Sequence, residues 1–166
     1  LYSERLGVFT VVAWNAALVA LVVTLALGLT QGREYAEMIW PIDVTVVAAF
    51  SLVFFNFIMT VRRRQEPILY VSVWYMLAGS ILTACTYALG NVIWRPDSGA
   101  LVGIPDAILL WFYGHNVFGL LLTPFSAAVT YYVIPRATRN PLYSHTLSLL
   151  GFWSLIVVYT HIGTHH

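Results

Sequence analysis

The sequence predicts an all-α integral membrane protein with five transmembrane helices, and three observations carry that prediction. Hydrophobic residues make up 60% of the chain and charged residues 9%, whereas a soluble domain carries about a quarter charged. The apolar residues fall into five long runs, 6–29, 44–61, 68–93, 107–134 and 142–166, and a helix needs about 20 such residues to cross a bilayer. The arginines gather in alternate connections between those runs, as they do when a chain is threaded back and forth through a membrane.

Lipid offers backbone polar groups no partner, so a spanning segment is a helix or belongs to a closed barrel. None of the five runs shows the period-2 alternation of a barrel strand. The first run is too long for the apolar core of a signal peptide. Leu1 is not an initiator methionine and the last run stops at His166 inside a histidine motif, so the chain reads as a piece of something longer. Pro124 lies within the fourth run, where a missing N–H and a ring clash predict a kink. No internal repeat or low-complexity segment interrupts this order.

One side of the membrane holds Arg5, loop 62–66 with Arg62, Arg63 and Arg64, and loop 136–140 with Arg136 and Arg139. The other holds loops 30–43 and 94–106, with Arg33 and Arg95 set among Glu34, Glu37, Asp43, Asp97 and Asp106. The excess of arginine predicts that the first side is cytoplasmic and the second periplasmic. A net charge of +1 argues against a nucleic-acid partner. Cys85 is the single cysteine, which excludes an internal disulfide or a multi-cysteine zinc site. There is no glycine-rich phosphate loop and no nucleophile elbow.

Ionisable groups at membrane depth are costly and mark function. Here they are His115, Tyr159, His161, His165 and His166, whereas His145 sits at the wet end of the fifth run. The fourth and fifth runs form an antiparallel hairpin, and residue 140 in its turn is the midpoint of 115 and 165. At ~1.5 Å per residue both histidines stand about 35 Å from the turn. Imidazoles of His115, His165 and His166 thus share a level, and three neutral imidazoles suit copper or zinc. Neighbours on a helix diverge by ~100°, so His165 and His166 share an ion only where the helix bends, as Gly163 allows. His161 and His165, spaced i, i+4, are a rival pair, and interfacial histidines without metal are the plain alternative.

Ser148, Tyr159 and His166 fall on one face of the fifth helix, with Tyr131 and Tyr132 near Ser148 in depth and Thr123 further along. Such hydroxyls suit either proton relay or interhelical hydrogen bonding. In the outer loop, Glu34 and Glu37 lie among few cations, an arrangement that suits calcium or a merely solvated acidic loop.

The run Trp111-Phe112-Tyr113-Gly114-His115-Asn116 resembles the WYGHN signature of the catalytic subunit of cbb3-type cytochrome c oxidases. The similarity continues through Leu121-Leu122-Thr123-Pro124, Tyr131-Tyr132-Val133-Ile134-Pro135 and Pro141-Leu142-Tyr143-Ser144 to Tyr159 and Gly163-Thr164-His165-His166. Upstream, Gly32-Arg33-Glu34-Tyr35-Ala36-Glu37 and Trp40-Pro41-Ile42-Asp43 resemble an outer-loop motif of the same family. His161, Gly151 and Ser154 depart from the family pattern at positions that are not ligands.

The resemblance implies part of a twelve-helix subunit of the bacterial cytoplasmic membrane, reducing dioxygen to water with electrons from cytochrome c and pumping protons. It implies copper held by His115, His165 and His166, and Tyr159 as a redox-active tyrosine joined covalently to the His115 ring. Thr123, Tyr131 and Ser148 would lie along a proton channel, and Glu34 at a calcium site. Low-spin and high-spin heme b would complete the cofactors, their axial histidines coming from helices outside this chain. The implied partners are the remaining helices of the subunit, membrane-anchored c-type cytochrome subunits and the lipid bilayer. Nitric oxide reductases share the fold, but pair their metal with a glutamate one turn after the first histidine, which is absent here. A non-catalytic membrane scaffold or transporter segment is the rival from another class.

Overall fold

A computed structural model describes residues 1–91 and 103–160. The described residues are helical in the order α1 (Glu4–Ala26), α2 (Trp40–Arg62), α3 (Val71–Asn91), α4 (Ile104–Asn116), α5 (Thr123–Thr138) and α6 (His145–Val158), with a π-helical segment, Val117–Leu122, joining α4 to α5. Four stretches are long and apolar enough to cross a membrane: α1, α2, α3 and the continuous run Ile104–Thr138. The shorter α6 is apolar too, and the rest of the fifth run lies outside the described residues.

Hydrogen bonds between helix ends establish the up-and-down order. Asn56 near the end of α2 bonds the backbone N–H and carbonyl of Ser3 at 3.0 and 2.9 Å, while Ser3 caps α1 through the Leu6 N–H. The Tyr87 hydroxyl at the end of α3 donates to Asp43 at the start of α2, 2.7 Å away. Tyr70, just before α3, donates to the Tyr131 carbonyl in α5 at 2.8 Å. Arg5, Arg62–Arg64, Arg136 and Arg139 therefore belong to one end of the bundle, and loop 30–37 with Asp106 to the other. Ser144 caps α6 by accepting from the Leu147 N–H.

Helix α3 is the hub, packing against α2, α4, the π segment, α5 and α6. It is rich in small residues on its buried faces, among them Gly79, Ser80, Thr83, Ala84 and Gly90. Lipid tails are as apolar as leucine, so helices associate in a membrane where small residues allow close approach. A Cβ on Gly90 would lie 2.5 Å from the Tyr113 Cβ, and one on Gly79 2.8 Å from the Phe125 ring. Gly90→Ala is therefore expected to cost about 1–3 kcal/mol through overpacking. A lower thermal midpoint for the purified full-length protein is the measurement that checks it. Two apolar clusters follow from this packing: Ala17, Ala36, Ile42, Val46, Tyr87 and Tyr113 towards the loop 30–37 end, and Val71, Tyr75, Ala128 and Phe152 towards the arginine-rich end.

The fourth run departs from the predicted simple kink. Its distortion begins upstream of Pro124, as a wide turn in which the Thr123 N–H reaches back to the Phe118 carbonyl. Pro124 has no N–H to give the Leu120 carbonyl, and that oxygen faces α3 at Gly79, 3.2 Å from where a Cβ would stand. The strain of a buried proline is thus taken up one turn earlier, a common cause of helix distortion. Helix α2 begins at Trp40 instead of 44, with Pro41 in its first turn, where a missing N–H costs nothing.

Candidate functional site

His115 occupies the last turn of α4, immediately before the wide turn. The Tyr159 ring lies against its imidazole, with ring centroids 4.9 Å apart and planes inclined at 55°. The His115 Nε2 is 3.3 Å from the Tyr159 carbonyl oxygen. Straight-helix arithmetic puts Tyr159 opposite residue 121, roughly 9 Å below His115 along the axis. Instead it lies across Gly119: a Cβ there would come 3.0 Å from the Tyr159 Cε1. The absence of a side chain at 119 leaves room for the two aromatic groups to come together.

Asn116 holds the backbone around this pair. Its side chain is fully buried and donates to the Phe112 carbonyl at 2.8 Å and to the Thr160 carbonyl at 3.4 Å. It thereby ties the end of α4 to the segment after α6. Its Oδ1 is buried without a partner among the described residues. The sequence singled out Asn116 only as part of a motif and passed over Gly119. The signal for both was available: inside an apolar run, a polar residue directly after the histidine and a glycine one turn beyond it.

His161, His165 and His166 lie outside the described residues. Among the described residues no three histidine, cysteine, aspartate or glutamate side chains form a metal-sized group. Of the implied ligand set, His115 alone is placed.

Of the three hydroxyl residues singled out, Ser148 is buried and donates to the His145 carbonyl at 2.7 Å. Tyr131 stacks on Tyr75 with centroids 5.8 Å apart, and its hydroxyl is 3.9 Å from the Cβ position of Gly151. Thr123 is the first residue of α5 and half-buried. Tyr131 and Ser148 therefore both face the α3–α5–α6 side of the bundle. Phe152, one turn beyond Ser148 towards Tyr159, packs edge-on to Tyr75 at 5.0 Å and inserts an apolar group into that stripe.

The outer loop is pinned to the helices. Arg33 forms an ion pair with Asp106 at 2.9 Å and donates to the Gly90 carbonyl at 2.7 Å. The Tyr113 hydroxyl donates to the Tyr35 carbonyl at 2.8 Å. Gly32 and Tyr35 both have positive φ, 69° and 58°, which turns the chain tightly back towards α2. Buried Asp43 accepts from Tyr87 and from the Gln31 amide. Its part in anchoring the loop was not read from the sequence, although an aspartate following a proline at a span's entry was a visible cue. Glu34 is exposed, whereas Glu37 accepts from the Tyr35 N–H at 3.1 Å.

The family model for cytochrome c and quinol oxidase polypeptide I matches residues 1–166. The cbb3-type cytochrome c oxidase subunit CcoN1 of Stutzerimonas stutzeri is 34% identical, over 100% of this chain and 36% of its own length. A cytochrome c oxidase subunit 1 homolog of Azorhizobium caulinodans is 39% identical over 95% of this chain and 30% of its own length. Cytochrome c oxidase subunit 1 of Rhodobacter capsulatus is 34% identical over 99% of this chain and 32% of its own length. The chain thus spans about a third of the length of these relatives. A helical membrane architecture, the full-length family match and these identities lead to one conclusion: the chain belongs to the cytochrome c and quinol oxidase polypeptide I family.

Proposed function

We propose that this chain is the central part of the catalytic subunit of a terminal respiratory oxidase, which reduces dioxygen to water with electrons from cytochrome c and couples this to proton pumping. The observation that carries the proposal is the His115 imidazole held 4.9 Å from the Tyr159 ring at membrane depth. A histidine and a tyrosine packed this closely in an apolar helix bundle need a chemical reason, because both are costly there. The donor chemistry fits copper, for which neutral imidazole is a suitable ligand, and His165 and His166 would complete the set with His115. Copper held there, together with high-spin heme b, would supply a binding site for dioxygen and part of its electrons.

The chain's own residues then have distinct tasks. His115 presents a nitrogen from the rigid end of α4, and Asn116 fixes that end to the segment after Tyr159. Tyr159 holds a hydroxyl proton that it would give to the oxygen substrate. Its contact with His115 would allow a carbon–nitrogen link between the rings, in which a ring C–H and an imidazole N–H are lost as two protons and two electrons pass to dioxygen. Thr123, Tyr131 and Ser148 carry protons from the arginine-rich end, taken as cytoplasmic; with Phe152 in the stripe, water or Tyr131 must bridge past it. Low-spin heme b and membrane-anchored c-type cytochrome subunits would deliver electrons from the periplasmic side. Metal analysis of the parent complex tests this reading. Copper with two hemes supports it, non-heme iron points to nitric oxide reduction, and neither leaves a scaffold.

Glu34 would bind calcium in the outer loop, its exposed carboxylate beside the fixed Arg33–Tyr35 turn offering the hard oxygen that such an ion takes. Glu34→Ala is then expected to remove calcium from the complex and shift the heme spectra. Unchanged calcium content by elemental analysis would leave the loop as a solvated turn.

A further inference from the structure

At the arginine-rich end, α3, α5 and the chain after α5 enclose an open groove of about 1120 Å³. Its walls are apolar, built from Val73, Met76, Phe125, Val129 and Leu142. Its rim is not: Arg136 and Arg139 line the mouth beside Tyr70 and Tyr132. From these residues we propose that the groove binds one anionic glycerophospholipid of the surrounding bilayer, an acyl chain lying along α3 and α5 and the phosphate held by the two guanidiniums.

Charge selects this occupant. Among the described residues no aspartate or glutamate lines the groove, and the one ion pair is Arg33–Asp106 at the opposite end. Arg136 uses one N–H on the Tyr132 hydroxyl, 2.8 Å away, and lies 5.5 Å from that ring's centroid. The remaining donors of its planar fork are the type that recognises phosphate oxygens. Arg139 ends α5 in a left-handed conformation, φ 57°, which turns the chain at the rim. The position is also right. Tyr70 and Tyr132 are half-exposed where spans end, the level at which tyrosines meet headgroups, and basic pockets between membrane helices on that face bind anionic headgroups. A further helix of the longer protein would fit the apolar walls but would leave two positive charges unanswered unless it brought carboxylates.

The test uses the full-length subunit in its complex, delipidated and placed in phosphatidylcholine nanodiscs with phosphatidylglycerol titrated in. Native mass spectrometry counts the phosphatidylglycerol retained. One molecule per subunit is expected in the wild type. The Arg136→Gln/Arg139→Gln double variant should weaken retention by about tenfold or more, with unchanged heme spectra showing intact folding. Val129→Trp, which fills the wall without touching charge, should also lower retention and carries the test if the double variant does not assemble. A wild-type complex retaining no phosphatidylglycerol, or variants retaining as much as the wild type, would overturn the proposal and point to a protein segment in the groove.

Discussion

His115→Ala in the full-length subunit is expected to abolish oxygen reduction and deplete copper while leaving low-spin heme in place. Even partners that merely orient a metal ligand are worth 10–100-fold in metal affinity or activity, so loss of the ligand itself should cost roughly 100-fold or more. The backbone should survive the change. Asn116, which ties α4 to the segment after α6, is untouched, and the His115 side chain is only partly buried. Copper analysis beside the heme spectrum distinguishes the outcomes. Normal copper content in the variant would sink the ligand assignment, whereas joint loss of copper and both hemes would show a folding defect.

Tyr159→Phe separates chemistry from architecture. The ring that packs on His115 and Gly119 is retained and only the hydroxyl goes, so copper and both hemes should remain at full occupancy. Turnover should nevertheless fall by about 10²–10⁴-fold, the range supplied by a positioned proton donor. The contact between the two rings, with centroids 4.9 Å apart, puts them within reach of a covalent link. Peptide mass spectrometry of active wild-type enzyme should therefore yield one cross-linked species containing His115 and Tyr159. Full recovery of both unmodified peptides would reduce Tyr159 to a packing partner.

Much of the architecture was legible because hydropathy alone locates helices in lipid. The entry to α2 was read four residues late because Asp43 looked like a loop residue. Its carboxylate is satisfied inside by Tyr87 and Gln31, a tertiary pairing that no local pattern reveals. Pro124 announced a distortion but not its place, since the strain is relieved where the backbone can yield, between Asn116 and Thr123. At the site, depth arithmetic brought Tyr159 near His115 but left a gap. The gap closes through Gly119, and the shape of a missing side chain is not a hydropathy signal. Among the described residues the arginine-rich connections lie at one end of the bundle, whereas the hub role of α3 came from its small residues, which hydropathy scores as weakly apolar.

The wide turn at Val117–Leu122 also sets the phase between two half-helices that must satisfy different neighbours. Above it, Tyr113 and Asn116 are aligned to Gly90 of α3 and to the segment after α6. Below it, Pro124 and Ala128 are buried and Tyr131 stacks on Tyr75. A regular helix advances ~100° per residue and the wide turn less, so winding the same residues of Val117–Leu122 as a regular helix would swing α5 relative to α4. Pro124 and Ala128 would then leave their places against α3, and Tyr131 would lose its stack. The wide turn acts as a spacer that lets the half carrying His115 and the half carrying Tyr131 each keep its own alignment, so that its winding matters more to that alignment than the side chains within it.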